Sequence, residues 1–135
     1  MVRHILALVA VTAIGGAASA QTTWTCSLKD TARSGHVPSE FSFALPESGR
    51  DAQAWVQGDA RQSVEVTKRD ALKVELDWRS TAAPRGSSRD RAERTGEGTH
   101  YHATFLRGSE KLMLKVRPDR EARSFTGLGT CRKAG

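Results

Sequence analysis

Apolar residues recur at every second position in a series of short segments of this chain, a period that suits strands and not helices. The clearest is Ala71–Arg79, where Leu72, Val74, Leu76 and Trp78 alternate with Lys73, Glu75, Asp77 and Arg79. Successive side chains of a strand point to opposite faces, so this order makes one face apolar and the other polar; a helical stripe needs spacings of three and four. Just upstream, Val64 and Val66 alternate with Ser63, Glu65 and Thr67, and Lys68-Arg69-Asp70 reads as the hairpin connection between the two segments. Phe41, Phe43 and Leu45 alternate as far as Pro46. Tyr101, Ala103 and Phe105 alternate with His100, His102 and Thr104. Leu112, Leu114 and Val116 alternate with Lys111, Met113, Lys115 and Arg117, and stop at Pro118. Trp24, Cys26 and Leu28 share one face of the first such segment, and Phe125, Gly127, Gly129 and Cys131 one face of the last. Ala52–Gln57 suits either a strand or one helical turn.

Seven or eight short strands, separated by Gly, Pro, Asp and Ser and with no long helical pattern, predict an all-β fold: a small antiparallel barrel or sandwich. The two cysteines, Cys26 and Cys131, stand 105 positions apart at the ends of this run. In an oxidising compartment such a pair reads as a disulfide. If eight strands follow one another around a barrel, closure makes the first and last neighbours, and Cys26–Cys131 staples that seam. Gly127 and Gly129 fit the same arrangement, because strand glycines mark a bend or a close backbone approach. An eight-stranded interior is just wide enough to be filled by side chains, and a filled interior is expected here.

The N-terminus predicts the compartment. Met1-Val2-Arg3-His4 is a short basic segment, Ile5–Ile14 an apolar run, and Ala18-Ser19-Ala20 supplies the small residues of a cleavage site. This is the tripartite pattern of a secretory signal peptide, with a core too short to span a bilayer. Residues 1–20 are therefore expected to be removed, leaving Gln21–Gly135 as one β domain in the periplasm or outside the cell, with no transmembrane segment. The full chain carries 21 Lys+Arg against 15 Asp+Glu. Residues 21–106 are balanced, with 12 of each sign, so the mature excess comes from 107–133, with 8 basic and 3 acidic residues. Arg107, Lys111, Lys115, Arg117, Arg120 and Arg123, with Arg132 and Lys133, form a candidate surface for an anionic envelope polymer or an acidic extracytoplasmic protein. The 80–98 segment holds four arginines (Arg85, Arg89, Arg91, Arg94) and no Val, Ile, Leu or aromatic residue. It reads as a long flexible loop.

Catalytic patterns are missing: no Gly-x-Ser-x-Gly, His-Glu-x-x-His or P-loop occurs, and the carboxylates are scattered among basic neighbours. His100 and His102, at i and i+2, have a spacing that can chelate, with His36 the remaining mature histidine; such a pair reads first as an exposed polar strand face. A non-catalytic binding protein without metal or cofactor is expected. The eight aromatic residues mostly alternate into the presumed core, so nucleic-acid stacking is not expected.

Three segments resemble the periplasmic C-type lysozyme inhibitors, which are small exported β-barrels with a disulfide between N- and C-terminal strands. The parallels are Trp24-Thr25-Cys26, Gly98-Thr99-His100-Tyr101 and Phe105-Leu106-Arg107-Gly108. The chain departs from the family where Glu97 stands at its serine position and Arg107 at its lysine. The resemblance implies an alternative function, inhibition of a cell-wall hydrolase, through Tyr101, Arg107 and the Arg-rich loop. Arginine preserves the charge that pairs with a lysozyme's carboxylates, and Glu97 opposes it.

Overall fold

All the alternating segments become strands, and so does the described part, Ala52–Val56, of the ambiguous segment. A computed structural model of the chain describes residues 21–56, 59–80 and 98–134; the expected signal peptide, 1–20, and 81–97 of the Arg-rich segment lie outside them. The strands are β1 (Gln21–Asp30), β2 (Glu40–Pro46), β3 (Asp51–Val56), β4 (Gln62–Arg69), β5 (Lys73–Ser80), β6 (Thr99–Leu106), β7 (Lys111–Pro118) and β8 (Phe125–Lys133). No helix occurs among the described residues. Each strand pairs antiparallel with the next, and β8 pairs with β1, so the sheet closes into a barrel in simple sequence order. Closure leaves no unpaired edge.

The seam is where the cysteines meet. Cys26 and Cys131 are register partners on β1 and β8, with Cα atoms 3.9 Å apart and their sulfurs bonded. Two strand glycines make room here, Gly129 for the β1 backbone and Gly127 for a side chain of the loop after β1. A Cβ on Gly129 would lie 1.9 Å from the Ser27 carbonyl oxygen, and one on Gly127 would lie 2.4 Å from Val37 Cγ1. The first would require β1 to move; the second, the Val37 side chain.

The inward positions fill the interior with one apolar cluster that includes Cys26, Phe41, Phe43, Leu76, Phe105, Leu114 and Val116. Its backbone is a run of six aromatic rings. Tyr101 stacks on Trp78 at 5.1 Å, Trp78 on Phe41 at 5.5 Å, and Phe41 on Phe43 at 5.9 Å. Phe43 meets Phe105 edge-on at 5.2 Å, and Phe105 meets Trp24 at 4.8 Å. Such tilted and offset contacts add to the burial of the rings themselves.

Two details differ from the sequence pattern. Leu72, expected to join the apolar face of β5, is 77% exposed in the β4–β5 turn. The cause is Asp70, whose Oδ1 accepts hydrogen bonds from the amides of Leu72 (2.8 Å) and Lys73 (2.9 Å), ending the hairpin one residue after the alternation begins. A β-bulge between Val66 and Lys68 then places Arg69, expected in the connection, opposite Val74 within β4. Its Nη2 donates to the Glu47 carbonyl at 2.9 Å.

Candidate functional site: a cationic face across the barrel seam

The period of two that buries Leu112, Leu114 and Val116 on β7 turns Lys111, Lys115 and Arg117 outward, all exposed, with half-buried Met113 among them. The register extends this face onto two more strands. Met113 pairs with Leu128 of β8, which pairs in turn with Lys29 of β1; Arg132 of β8 pairs with Thr25. The outward positions of β7, β8 and β1 thus carry five cations (Lys29, Lys111, Lys115, Arg117, Arg132) and no acid; the others are neutral polar or apolar. None of the five lies within salt-bridge distance of a carboxylate among the described residues. Like charges left unneutralised on a shared face raise the local potential and attract anions. Lys29 was not among the residues expected from the sequence: only barrel closure brings it to β7.

The remaining expected residues are spread along the barrel. Arg107 is exposed in the β6–β7 turn, at the end where β1 begins and β8 finishes. Arg120 and Arg123 lie in the β7–β8 connection at the opposite end, where the Arg123 guanidinium sits 5.2 Å over the Phe125 ring. Lys133 is 5.6 Å over the Trp24 ring. A strand of eight residues separates the two ends by about 25 Å, so these arginines frame the face rather than gather in it. Tyr101 is 6% exposed and stacked inside the barrel; burial and the negative charge of Asp59 push its phenol above the usual range.

Next to this face, beyond β7, the outward histidines of β6 meet a carboxylate of β5. On β5 and β6, Asp77 is flanked by both imidazoles: its Oδ1 lies 2.6 Å from His100 Nε2 and its Oδ2 2.9 Å from His102 Nδ1. Glu75 Oε1 is 3.8 Å from His102 Nε2, and Arg117 Nη2 is 3.5 Å from His100 Nδ1. The histidine pair is therefore engaged with one carboxylate, and no group of three potential ligands among the described residues is arranged to hold a metal ion. Partial burial pushes the Asp77 carboxyl up, but the hydrogen bonds and charges of His102 and His100 outweigh it and hold it below the ordinary value. A carboxyl depressed by folding adds stability above its unfolded pKa, and that stability is lost as pH falls through the folded pKa. Asp77→Asn should therefore destabilise the protein at pH 6 by less than about 1 kcal/mol, since the pair is partly solvated. The deficit should shrink towards pH 3. Urea unfolding of both proteins at the two pH values measures it; a deficit that stays constant contradicts the linkage.

Beyond His100, Asp119 ties the ends of β5, β6 and β7. Its Oδ2 pairs with Arg79 Nη2 and accepts the Gly98 amide at 2.8 Å, while its own amide donates to the Gly98 carbonyl at 3.0 Å. The Arg79 hydrogen bond, then that of Gly98, keeps the Asp119 carboxyl low. The two later segments of the sequence resemblance thus fall at opposite ends of β6, Gly98 at the Asp119 junction and Arg107 beyond the far end.

Together these features define a disulfide-sealed, eight-stranded meander barrel with a cationic face over its seam, bordered by the Asp77–His100–His102 cluster. No family model, curated protein or solved structure matches the chain.

Proposed function

We propose that the protein is an exported, non-catalytic binding protein that engages an anionic partner through the β7–β8–β1 face. The observation that carries this is the arrangement of five cations on three adjacent strands, with no acid at the outward positions between them and no carboxylate within salt-bridge distance of any of them among the described residues. The disulfide is consistent with an oxidising, extracytoplasmic compartment, which a cleaved 1–20 signal would reach. A binding role also suits the carboxylates: Asp30, Asp70, Asp77 and Asp119 are all held low by hydrogen bonds, the opposite of what a general acid needs. Binding of the mature protein to heparin, used as a soluble polyanion probe, should weaken steeply with salt, because exposed charge pairs are screened. No binding at low salt would remove the proposal.

A second reading, inhibition of a cell-wall hydrolase, is favoured by one observation. Arg107 is exposed in a short turn, a shape that can enter a cleft, and has no carboxylate within salt-bridge distance among the described residues. Excess mature protein should then slow lysozyme turnover, and Arg107→Ala should restore it; undiminished turnover with the wild-type protein contradicts this reading.

A further inference from the structure

The cationic face has an apolar centre that an anionic polymer would not use. Leu128, 49% exposed, pairs directly with Met113, and Leu106, 43% exposed, pairs with Lys111 on the neighbouring register row. Around the Met113–Leu128 pair stand Lys111 and Lys115, two positions away on β7, and Lys29, opposite Leu128 on β1. Same-face neighbours along a strand are about 7 Å apart, so three lysine positions surround two adjoining apolar ones.

Resting on the reading of this face as an anion-binding surface, we infer that its partner is an anionic lipid surface. On such a surface the lysines meet headgroup phosphates while Leu128, Met113 and Leu106 enter the interfacial region. Peripheral binding of this kind is the sum of electrostatic attraction to anionic lipids and buried apolar area, and both parts are present on one sheet face. A second copy of the chain is a poor occupant. A two-fold contact through this face would set cations against cations, since such an interface opposes a patch to itself. A soluble polyanion would satisfy the lysines and leave the leucine and methionine contacts unused.

The test is sedimentation of the mature protein with phosphatidylcholine vesicles, with and without phosphatidylglycerol, alongside binding to heparin. The wild-type protein should sediment only with the phosphatidylglycerol vesicles. Met113→Gln/Leu128→Gln, at outward positions that leave the core intact, should weaken vesicle binding by about tenfold and leave heparin binding unchanged. Lys111→Gln/Lys115→Gln should weaken both. Wild-type binding to heparin without binding to the anionic vesicles overturns the lipid inference and leaves the anion-binding reading standing. Vesicle binding unaffected by the Met113→Gln/Leu128→Gln change also overturns it. Failure of the wild-type protein to bind either probe removes both. Thermal unfolding of each variant verifies that the barrel is intact.

Discussion

Replacing Cys26 and Cys131 together by alanine should remove about 4–5 kcal/mol of stability. The bond joins residues 105 positions apart, and in the chain-entropy model a cross-link closing a loop of that length restricts the unfolded state by about this amount. For a domain whose total stability is of the order of 5–15 kcal/mol, that is a large share. It corresponds to a fall in melting temperature of about 15–20 °C. The folded barrel itself should persist at low temperature, because β1 and β8 remain joined by their backbone ladder from Trp24–Lys133 to Asp30–Gly127. Far-ultraviolet circular dichroism during thermal unfolding distinguishes the outcomes. A fall of less than about 5 °C would mean that the seam is held by packing and backbone hydrogen bonds alone.

Phe41→Ala should cost about 3–5 kcal/mol. Phe41 is fully buried and occupies the middle of the aromatic run, stacked between Trp78 and Phe43. Truncation removes its transfer free energy and leaves a cavity whose walls, strands locked in a closed barrel, have little freedom to collapse. The two halves of the run, Trp78–Tyr101 and Phe43–Phe105–Trp24, also lose contact with each other. Near-ultraviolet circular dichroism should report the loosened tryptophan environment even where the fold survives. Phe41→Leu, which keeps most of the volume, should cost less than half as much. Equal losses for the two variants would show that ring stacking, and not cavity volume, dominates.

The strands were visible in the sequence because a sheet with one buried face imposes its period directly on the residues: in β5, β6 and β7 the apolar positions alternate, with the outward Leu106 and Met113 and the buried Ser80 and Thr99 as the departures. The sequence left barrel and sandwich both open, and what pointed to the barrel was the pair Cys26 and Cys131 with Gly129, which the close β1–β8 seam requires. Leu72 misleads because alternation cannot show where a turn begins; the Asp70 carboxylate decides that by capping two amides. The bulge that draws Arg69 into β4 is a register property of two strands, and neither strand carries it alone.

The candidate site was half visible. Lys111, Lys115 and Arg117 share a face by their spacing, and the structure places them so. Lys29 was hidden because its place beside Leu128 depends on closure of the entire sheet. Arg107, Arg120 and Arg123 looked like members of one patch through nearness in sequence, yet a strand carries its two ends apart. Tyr101 looked available because a motif position says nothing about which face of a strand it occupies, and here that face is interior. The engagement of His100 and His102 with Asp77 required a partner from the adjacent strand, which a spacing of two within β6 does not specify.

What matters most is that anion binding depends on where the cations stand and not on the net charge of the protein. Heparin affinity at low salt should therefore be compared between two triple variants of equal charge. One, Lys111→Gln/Lys115→Gln/Arg117→Gln, neutralises the face; the other, Arg33→Gln/Arg50→Gln/Lys68→Gln, neutralises exposed cations elsewhere on the barrel. At about 1 kcal/mol for each cation at an anionic surface, the first should bind about a hundredfold more weakly than wild type, and the second within about threefold of it. Equal losses in the two variants would contradict a localised binding face.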